Sequence, residues 1–301
     1  MRCRYVTMNV FTGRIFSGNP LAVVLDGASL SDTQMQSIAT EFGYAETTFI
    51  LPPRNPGHTR QVRIFTPRIE VPFAGHPNIG TAVALGNDLL SQGEAVGDDF
   101  IFEEKAGPVP IRLFKFDGKV VAAELTAPQA LTLGGTMSRK DAAACLSLSE
   151  SEVEEGRHPP RQASIGLPFV IVELKSRDAL RRAKPDFGAH ERLLPPLGTD
   201  AIFAYVRGTD EGSLHARMFS PLDATYEDPA TGSACGATIA LLASLHPSQN
   251  EVLRWEIEQG VEMGRPSEIS GRTEKTAGKV CAVHVGGHAV AVMQGHITIP
   301  E

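Results

Sequence analysis

The sequence predicts an internally duplicated α/β protein of two domains, each half a mixed or antiparallel sheet packed on a helix. Three observations lead there. First, H-P-N-I-G-T-A at His76 to Ala82 returns as D-P-A-T-G-S-A at Asp228 to Ala234, at a constant offset of 152 residues (228 − 76, 232 − 80, 233 − 81). Second, the segments around each copy recur in the same order, with offsets drifting only between 148 and 154. Third, 301 residues are too many for one ordinary compact core and comfortable for two.

The elements follow in chain order. Tyr5 to Phe11 is β-branched and aromatic and reads as the first strand. G-N-P at Gly18 to Pro20 is a turn before the strand Leu21 to Leu25. Ser31 reads as the N-cap of a helix whose inward face is Met35, Ile38 and Ala39, ended by Gly43. Ala45 to Leu51 is a strand with Glu46 at its entrance, and Arg60 to Phe65 is the next. A helix from Pro77 to Leu90 follows F-T-P-R-I-E-V-P-F-A-G-H-P, and three hairpin strands (Phe100 to Lys105, Val109 to Phe114, Lys119 to Leu125) complete the half. The weak segment Ala127 to Thr136, with Gly134-Gly135, reads as the inter-domain boundary, so the halves are residues 1–126 and 127–301. Beyond it, Ser138 to Leu146 is a short helix and S-L-S-E-S-E-V-E-E-G an acidic exposed patch. The strand Phe169 to Val172 repeats Leu21 to Val24, and the helix Ser176 to Ala183 repeats Ser31 to Thr40. Asp200 to Phe203 falls opposite Glu46 to Phe49, and Arg217 to Phe219 opposite Arg63 to Phe65.

Composition excludes several classes of function. Net charge is −7 with no basic block, which argues against nucleic acid or an anionic membrane as partner. No signal-peptide run and no apolar stretch of membrane-spanning length is present, so a cytoplasmic location is expected. Cys3, Cys145, Cys235 and Cys281 lack paired spacing, so neither a zinc site nor a disulfide framework is expected.

In each motif copy a proline turn leads to Gly, a hydroxyl residue and a small apolar run, the pattern of a loop feeding a buried helix. Helix N-termini carry unpaired N–H groups and partial positive charge, so each copy is a candidate anion cradle in one shared cleft. Glu46 is either an exposed strand-edge residue or a desolvated general acid/base. His76 either fills a turn or is a neutral imidazole facing a substrate oxygen, with Gly75 leaving the backbone open beside it. Asp228 is either an N-cap or a proton-transferring carboxylate. Ser233 and Thr81 suit caps or donors to a substrate carboxylate. Cys235, inside A-C-G-A, reads as a buried structural cysteine rather than a nucleophile. No dinucleotide, Walker, nucleophile-elbow or zinc-protease motif is present, so the chemistry expected is proton transfer beside a carbonyl or carboxylate.

G-N-P-L-A-V-V-L, Y-A-E-T-T-F-I, F-T-P-R-I-E-V-P-F-A-G-H-P-N-I-G-T-A and E-D-P-A-T-G-S-A-C-G-A together closely resemble the PhzF-like phenazine-biosynthesis family over nearly the whole chain. The resemblance implies the diaminopimelate-epimerase-like α+β fold, two duplicated domains each with a curved sheet around a central helix. It also implies that a C-terminal strand near 289–299 joins the first half. It implies a homodimer that needs no cofactor and acts on a small carboxylate-bearing metabolite, and the spacing of histidines and carboxylates leads us to expect no metal; the best-known family reaction isomerises trans-2,3-dihydro-3-hydroxyanthranilate. By the same resemblance Glu46 is the acid/base, His76 and Asp228 assist proton transfer, and Gly75, Gly232 and Ser233 bind substrate. The two-cysteine mechanism of related epimerases and racemases is absent, since the helix starts carry Gly75-His76 and Asp228. The expected activity is therefore a single-base isomerase. An epimerase using Glu46 and Asp228, or a non-catalytic small-molecule-binding homologue, is the alternative.

Overall fold

The computed structural model describes residues 2–223 and 225–299. Met1, Pro300 and Glu301, within the expected halves, lie outside the described residues, as does Ala224 of the second motif stretch. The chain forms two compact units, residues 1–126 with 286–301, and residues 127–285.

The first unit begins with β1 (Arg2–Val10) and β2 (Asn19–Val24), paired antiparallel. Helix α1 (Asp32–Phe42) then crosses to β3 (Glu46–Leu51), which lies parallel to β2. α1 starts where the sequence says it should. Ser31 and Gln34 close a capping box, satisfying two of the N–H groups that every helix start leaves open. Gly43 ends it in the left-handed conformation. Met35, Ile38 and Ala39 bury against Val24, Phe49 and Phe65. Burial of the Met35 and Ile38 side chains is worth roughly 1.5–3 kcal/mol each. Next come β4 (Arg60–Phe65), antiparallel to β3, and the short β5 (Glu70–Val71). Helix α2 (Gly75–Ser91) leads to β6 (Asp99–Glu104), β7 (Gly107–Phe116) and β8 (Lys119–Thr126), an antiparallel run attached parallel to β4.

The second unit repeats this order. β9 (Thr132–Thr136) and helix α3 (Arg139–Cys145) precede β10 (Arg161–Ser164) and β11 (Pro168–Glu173), an antiparallel pair. Helices α4 (Arg177–Arg182) and α5 (Phe187–Leu193) cross to β12 (Ile202–Arg207), parallel to β11, and β13 (Ser213–Ser220) is antiparallel to it. Then β14 (Thr225–Asp228), helix α6 (Gly232–Leu245), β15 (Glu251–Gln259) and β16 (Ser267–Thr276) match β5, α2, β6 and β7 in order and in the sense of each pairing. The last strand, β17 (Lys279–Thr298), belongs to the second unit up to Val285 and to the first from Gly286. In the first unit it pairs antiparallel with β1 from Arg2↔Thr298 to Val10↔Ala289 and also meets β8. The hydrogen-bonded order of that unit therefore closes on itself. Among the described residues no helix is long and apolar enough to cross a membrane.

Each unit wraps one helix. α2 packs on β1, β2, β3, β7 and β8, and every residue from His76 to Gly86 is buried. α6 packs on β10, β11, β15 and β16 and is buried just as thoroughly. A helix apolar all round has to be enclosed. Glycines bring the walls close. A Cβ at Gly80 would sit 2.6 Å from Leu21 Cδ2, and one at Gly236 would sit 2.4 Å from Ile165 Cδ1.

Two expectations change. Gly134-Gly135, in the stretch read as the inter-domain boundary, is part of β9 in the second unit, paired irregularly with β10. The Gln162 side chain lies across Gly134, its flexible end, Oε1, 1.6 Å from where a Cβ would stand. Asp200 is not the counterpart of Glu46. Thr47 pairs with Ala22 and Phe65, whereas Ile202 pairs with Val170 and Phe219. Thr47 thus corresponds to Ile202, an offset of 155 (202 − 47), and Glu46 to the buried Ala201. Asp200 lies one residue further out, ahead of the strand.

The turn into β2 yields a stability test. Gly18 has φ of +66°, and a Cβ there would lie 2.3 Å from the Val10 carbonyl oxygen, a backbone atom that cannot swing aside. Gly18→Ala is expected to lower unfolding free energy by about 1–3 kcal/mol in urea titration. An unchanged midpoint would show that the turn relaxes freely.

Candidate active site

In the first unit, Glu46 opens β3 and His76 is the second residue of α2. The two side chains meet, with His76 Nε2 3.5 Å from Glu46 Oε2. His76 is 6% exposed. Burial pushes its pKa down to about 3, against the opposing effect of a hydrogen bond to the Pro20 carbonyl. Proline offers only an acceptor there, so the ring donates, and with Nε2 turned to Glu46 the donor is Nδ1. The imidazole is therefore neutral, with a lone pair on Nε2. The contact is not a resting ion pair. With Nε2 carrying a lone pair, only a proton on the Glu46 carboxyl group could make this contact a hydrogen bond.

α2 starts without a side-chain cap, its N-cap being Ala74. The Asn78 amide instead turns back to donate to the Ala74 carbonyl oxygen at 3.0 Å. The uncapped first turn, containing Gly75 and His76, keeps its N–H groups available for an anion. Sequence reasoning missed Glu104, whose carboxyl oxygens are buried beside Asn78. Burial pushes its pKa up to about 8, with Asn78 working the other way, so it is largely a neutral acid at pH 7.

The second motif copy folds differently. Its Gly232 corresponds to Gly80, yet α6 begins at Gly232 whereas α2 begins five residues before Gly80. His76 is thus inside a helix, while Asp228 ends β14 four residues ahead of one. The cause is Gln259, fully buried at the end of β15. Its amide donates to the Asp228 carbonyl and the Thr231 hydroxyl at 2.8 and 3.1 Å, and its oxygen accepts from the Thr231 N–H at 3.1 Å. These bonds satisfy the D-P-A-T backbone in a non-helical path. Nothing in the spacing of the sequence ties Gln259 to this loop.

Asp228 is not the N-cap of α6; Thr231 holds that position, and its hydroxyl donates to the Asp228 carboxylate. Ser233, in the first turn of α6, is partly exposed, and among the described residues no protein group hydrogen-bonds its hydroxyl. Thr81 is instead fully buried and paired with Thr48 through their hydroxyls at 2.7 Å, a packing role. Cys235 is fully buried, its Sγ 3.7 Å from Gln259 Oε1, and burial drives its pKa well above the thiol range, which makes it an inert thiol. Among the described residues, no group of three His, Cys, Asp or Glu side chains is placed to hold a metal.

The first unit therefore presents one carboxyl group beside a neutral imidazole at an open helix start, and the second a carboxylate and a hydroxyl at another. This is equipment for moving a proton and holding an anion. Comparison with known proteins shows the family. A family described as phenazine biosynthesis-like protein matches residues 8–295. An uncharacterized isomerase of Mesorhizobium japonicum is 38% identical, covering 98% of each chain. The trans-2,3-dihydro-3-hydroxyanthranilate isomerase of Pseudomonas aeruginosa is 37% identical, covering 97% of this chain and 98% of that one. A Bacillus anthracis phenazine biosynthesis protein of the PhzF family superposes with a TM-score of 0.88 at 26% identity, over 99% of this chain and 100% of that one. A hydroxyproline epimerase of Agrobacterium vitis superposes with a TM-score of 0.63 at 12% identity, covering 98% and 92%, a likeness of epimerase-like fold alone. The chain belongs to the phenazine biosynthesis-like family and is a PhzF-type isomerase with the diaminopimelate-epimerase-like fold.

Proposed function

We propose that this isomerase works without a cofactor and moves one proton on a small carboxylate-bearing metabolite, with Glu46 as the group that carries it. The observation that carries the reading is the 3.5 Å contact between Glu46 and a buried, neutral His76. In the first step the Glu46 carboxylate accepts a proton from a substrate carbon. The carboxylic acid so formed donates to the His76 Nε2 lone pair, which steadies it. It then returns the proton to another carbon, and the carboxylate is regenerated. The N–H groups of the first turn of α2, beginning at Gly75, hold negative charge that develops on the substrate. In the second unit Asp228 is the proposed assistant in proton transfer, and Gly232 and Ser233 are the proposed substrate-binding groups. The Pseudomonas aeruginosa relative is named for trans-2,3-dihydro-3-hydroxyanthranilate, so amino-carboxylates of that class are the first to assay.

Glu46→Gln keeps shape and an amide but cannot accept a proton. It should reduce turnover by about 10²–10⁴-fold while largely preserving ligand affinity. Near wild-type turnover on the true substrate would remove Glu46 from the mechanism. Asp228→Asn separates this from a two-base epimerase, being milder here and comparably severe there. In deuterated water a shielded single-base shift retains substrate hydrogen, whereas two-base inversion brings in solvent deuterium.

A second expectation concerns His76 itself. Its folded pKa of about 3 lies below the ordinary 6.5, so between those values the unfolded chain binds a proton that the folded chain refuses. Stability contributed by the buried neutral ring is thus intact above pH 6.5 and falls as pH drops toward 3. The ring signal of His76 in NMR should stay flat from about pH 8 to about pH 4. A midpoint near the ordinary value would overturn the neutral assignment and the acceptor role of Nε2.

A further inference from the structure

The second unit holds a cavity of about 400 Å³ that the reaction above does not use, lined among others by Arg157, Arg207, Leu242, Leu245, His246 and Trp255. Its polar and apolar parts are distinct. Arg207 Nε donates to Glu173 Oε1 at 3.1 Å, and the Tyr205 hydroxyl donates to Glu173 Oε2 at 2.9 Å. The buried Glu173 is fully engaged, and it anchors Arg207 from behind. Among the described residues no hydrogen bond takes up Arg207 Nη1 or Nη2, and none takes up the Arg157 guanidinium. Glu173 thus balances one of the two arginines, and the Glu251 carboxylate, 3.7 Å from His246 Nδ1, is offset by the Lys275 ammonium on the His246 carbonyl oxygen, which leaves a net single positive charge at the wall. Opposite in character are Leu242, Leu245, Pro247 and Trp255, with Leu245 49% exposed despite its size.

We propose that this cavity is a second small-molecule site, for a monoanionic carboxylate with an apolar body. A carboxylate suits two arginine forks with free N–H groups, and the leucine, proline and indole surface suits a hydrocarbon or aromatic remainder. A phosphate dianion fits less well. Leu242, Leu245 and His246 stand at the C-terminal end of α6, where the helix dipole is negative and repels a second charge. The Lys275 ammonium already occupies the His246 carbonyl oxygen there, offsetting part of that dipole.

Trp255 is the chain's single tryptophan and lines the cavity, so its fluorescence reads occupancy directly, without any enzymatic assay. Titration of the full chain with 3-phenylpropanoate or octanoate should give a saturable change. The corresponding amides should bind at least about tenfold more weakly, and Arg157→Gln, at an exposed position, should weaken carboxylate binding about tenfold while leaving turnover unchanged. Ser233→Ala should leave this affinity alone, which separates the cavity from substrate binding. The proposal fails if neither carboxylate saturates by about 10 mM. It fails equally if Arg157→Gln binds as wild type does, if the amides bind as well as the acids, or if inorganic phosphate binds more tightly than both carboxylates.

Discussion

The burial of α2 and α6 around nearly their whole circumference is the constraint from which the rest follows. A surface helix shows one apolar stripe, but the A-V-A-L and A-T-I-A-L-L runs here leave no solvated face. Such helices need a wall on every side, and sheets wrapped about them provide it. The wall must come close, which is why Gly80, Gly86 and Gly236 stand where a Cβ would overlap Leu21, Val120 and Ile165. Once the sides of a helix are sealed, only its ends remain for chemistry. At each N-terminus the backbone donors lack a side-chain cap, and there the acid, imidazole, carboxylate and hydroxyl groups gather.

The proton logic of the first unit depends on that enclosure as well. His76 keeps a neutral ring because burial outweighs the hydrogen bond to Pro20 that favours the charged form. Were His76 charged, it would hold Glu46 as a carboxylate, and Nε2 would carry a proton instead of a lone pair. A neutral ring with its Nδ1 proton committed presents an Nε2 lone pair, which only a protonated carboxyl group of Glu46 can use. The helix start favours a neutral imidazole for a separate reason, since its dipole opposes a cation. Desolvation and the dipole act in the same direction here.

Much of this was legible in the residues. The capping box at Ser31, the glycine stop at Gly43 and the β-branched strands are local signals, and local signals survive into the fold. Glu46 and His76 were legible as a pair only through the family resemblance, since thirty residues separate them (76 − 46) and their contact is tertiary. What misled was treating equal spacing as equal geometry. The two motif copies share an offset, but Gln259 fixes the second as an open loop while the first winds into the helix. Likewise an offset of 154 assigned Asp200 to the place of Glu46, and strand pairing moved the match by one residue, to Ala201. A single residue of register is invisible to composition and decisive in a strand. Glu104 and Gln259 gave no warning, because an isolated polar residue in a strand is usually solvent-facing.

The duplication also separates what the fold keeps from what function alters. Arg63 binds Glu70 through Nε and Nη2 at 2.8 and 2.7 Å and lies over the Phe65 ring at 5.1 Å. Arg217 binds Glu227 through the same two nitrogens at 2.7 and 2.8 Å and lies over Phe219 at 4.8 Å. In both units the remaining nitrogen ties the sheet to a crossover helix, at Asp32 in α1 and at the Leu180 and Ala183 carbonyl oxygens by the end of α4. A bidentate, stacked arginine this closely reproduced is a structural clamp, and lysine could replace neither copy. At the helix starts the copies part company: Glu46 against Ala201, His76 against Asp228, a buried Thr81 against a partly exposed Ser233. The carboxyl–imidazole pair thus belongs to the first unit and has no counterpart at the matching positions of the second. The duplication keeps the clamp that ties each sheet to its crossover helix and lets the side chains at the helix starts diverge.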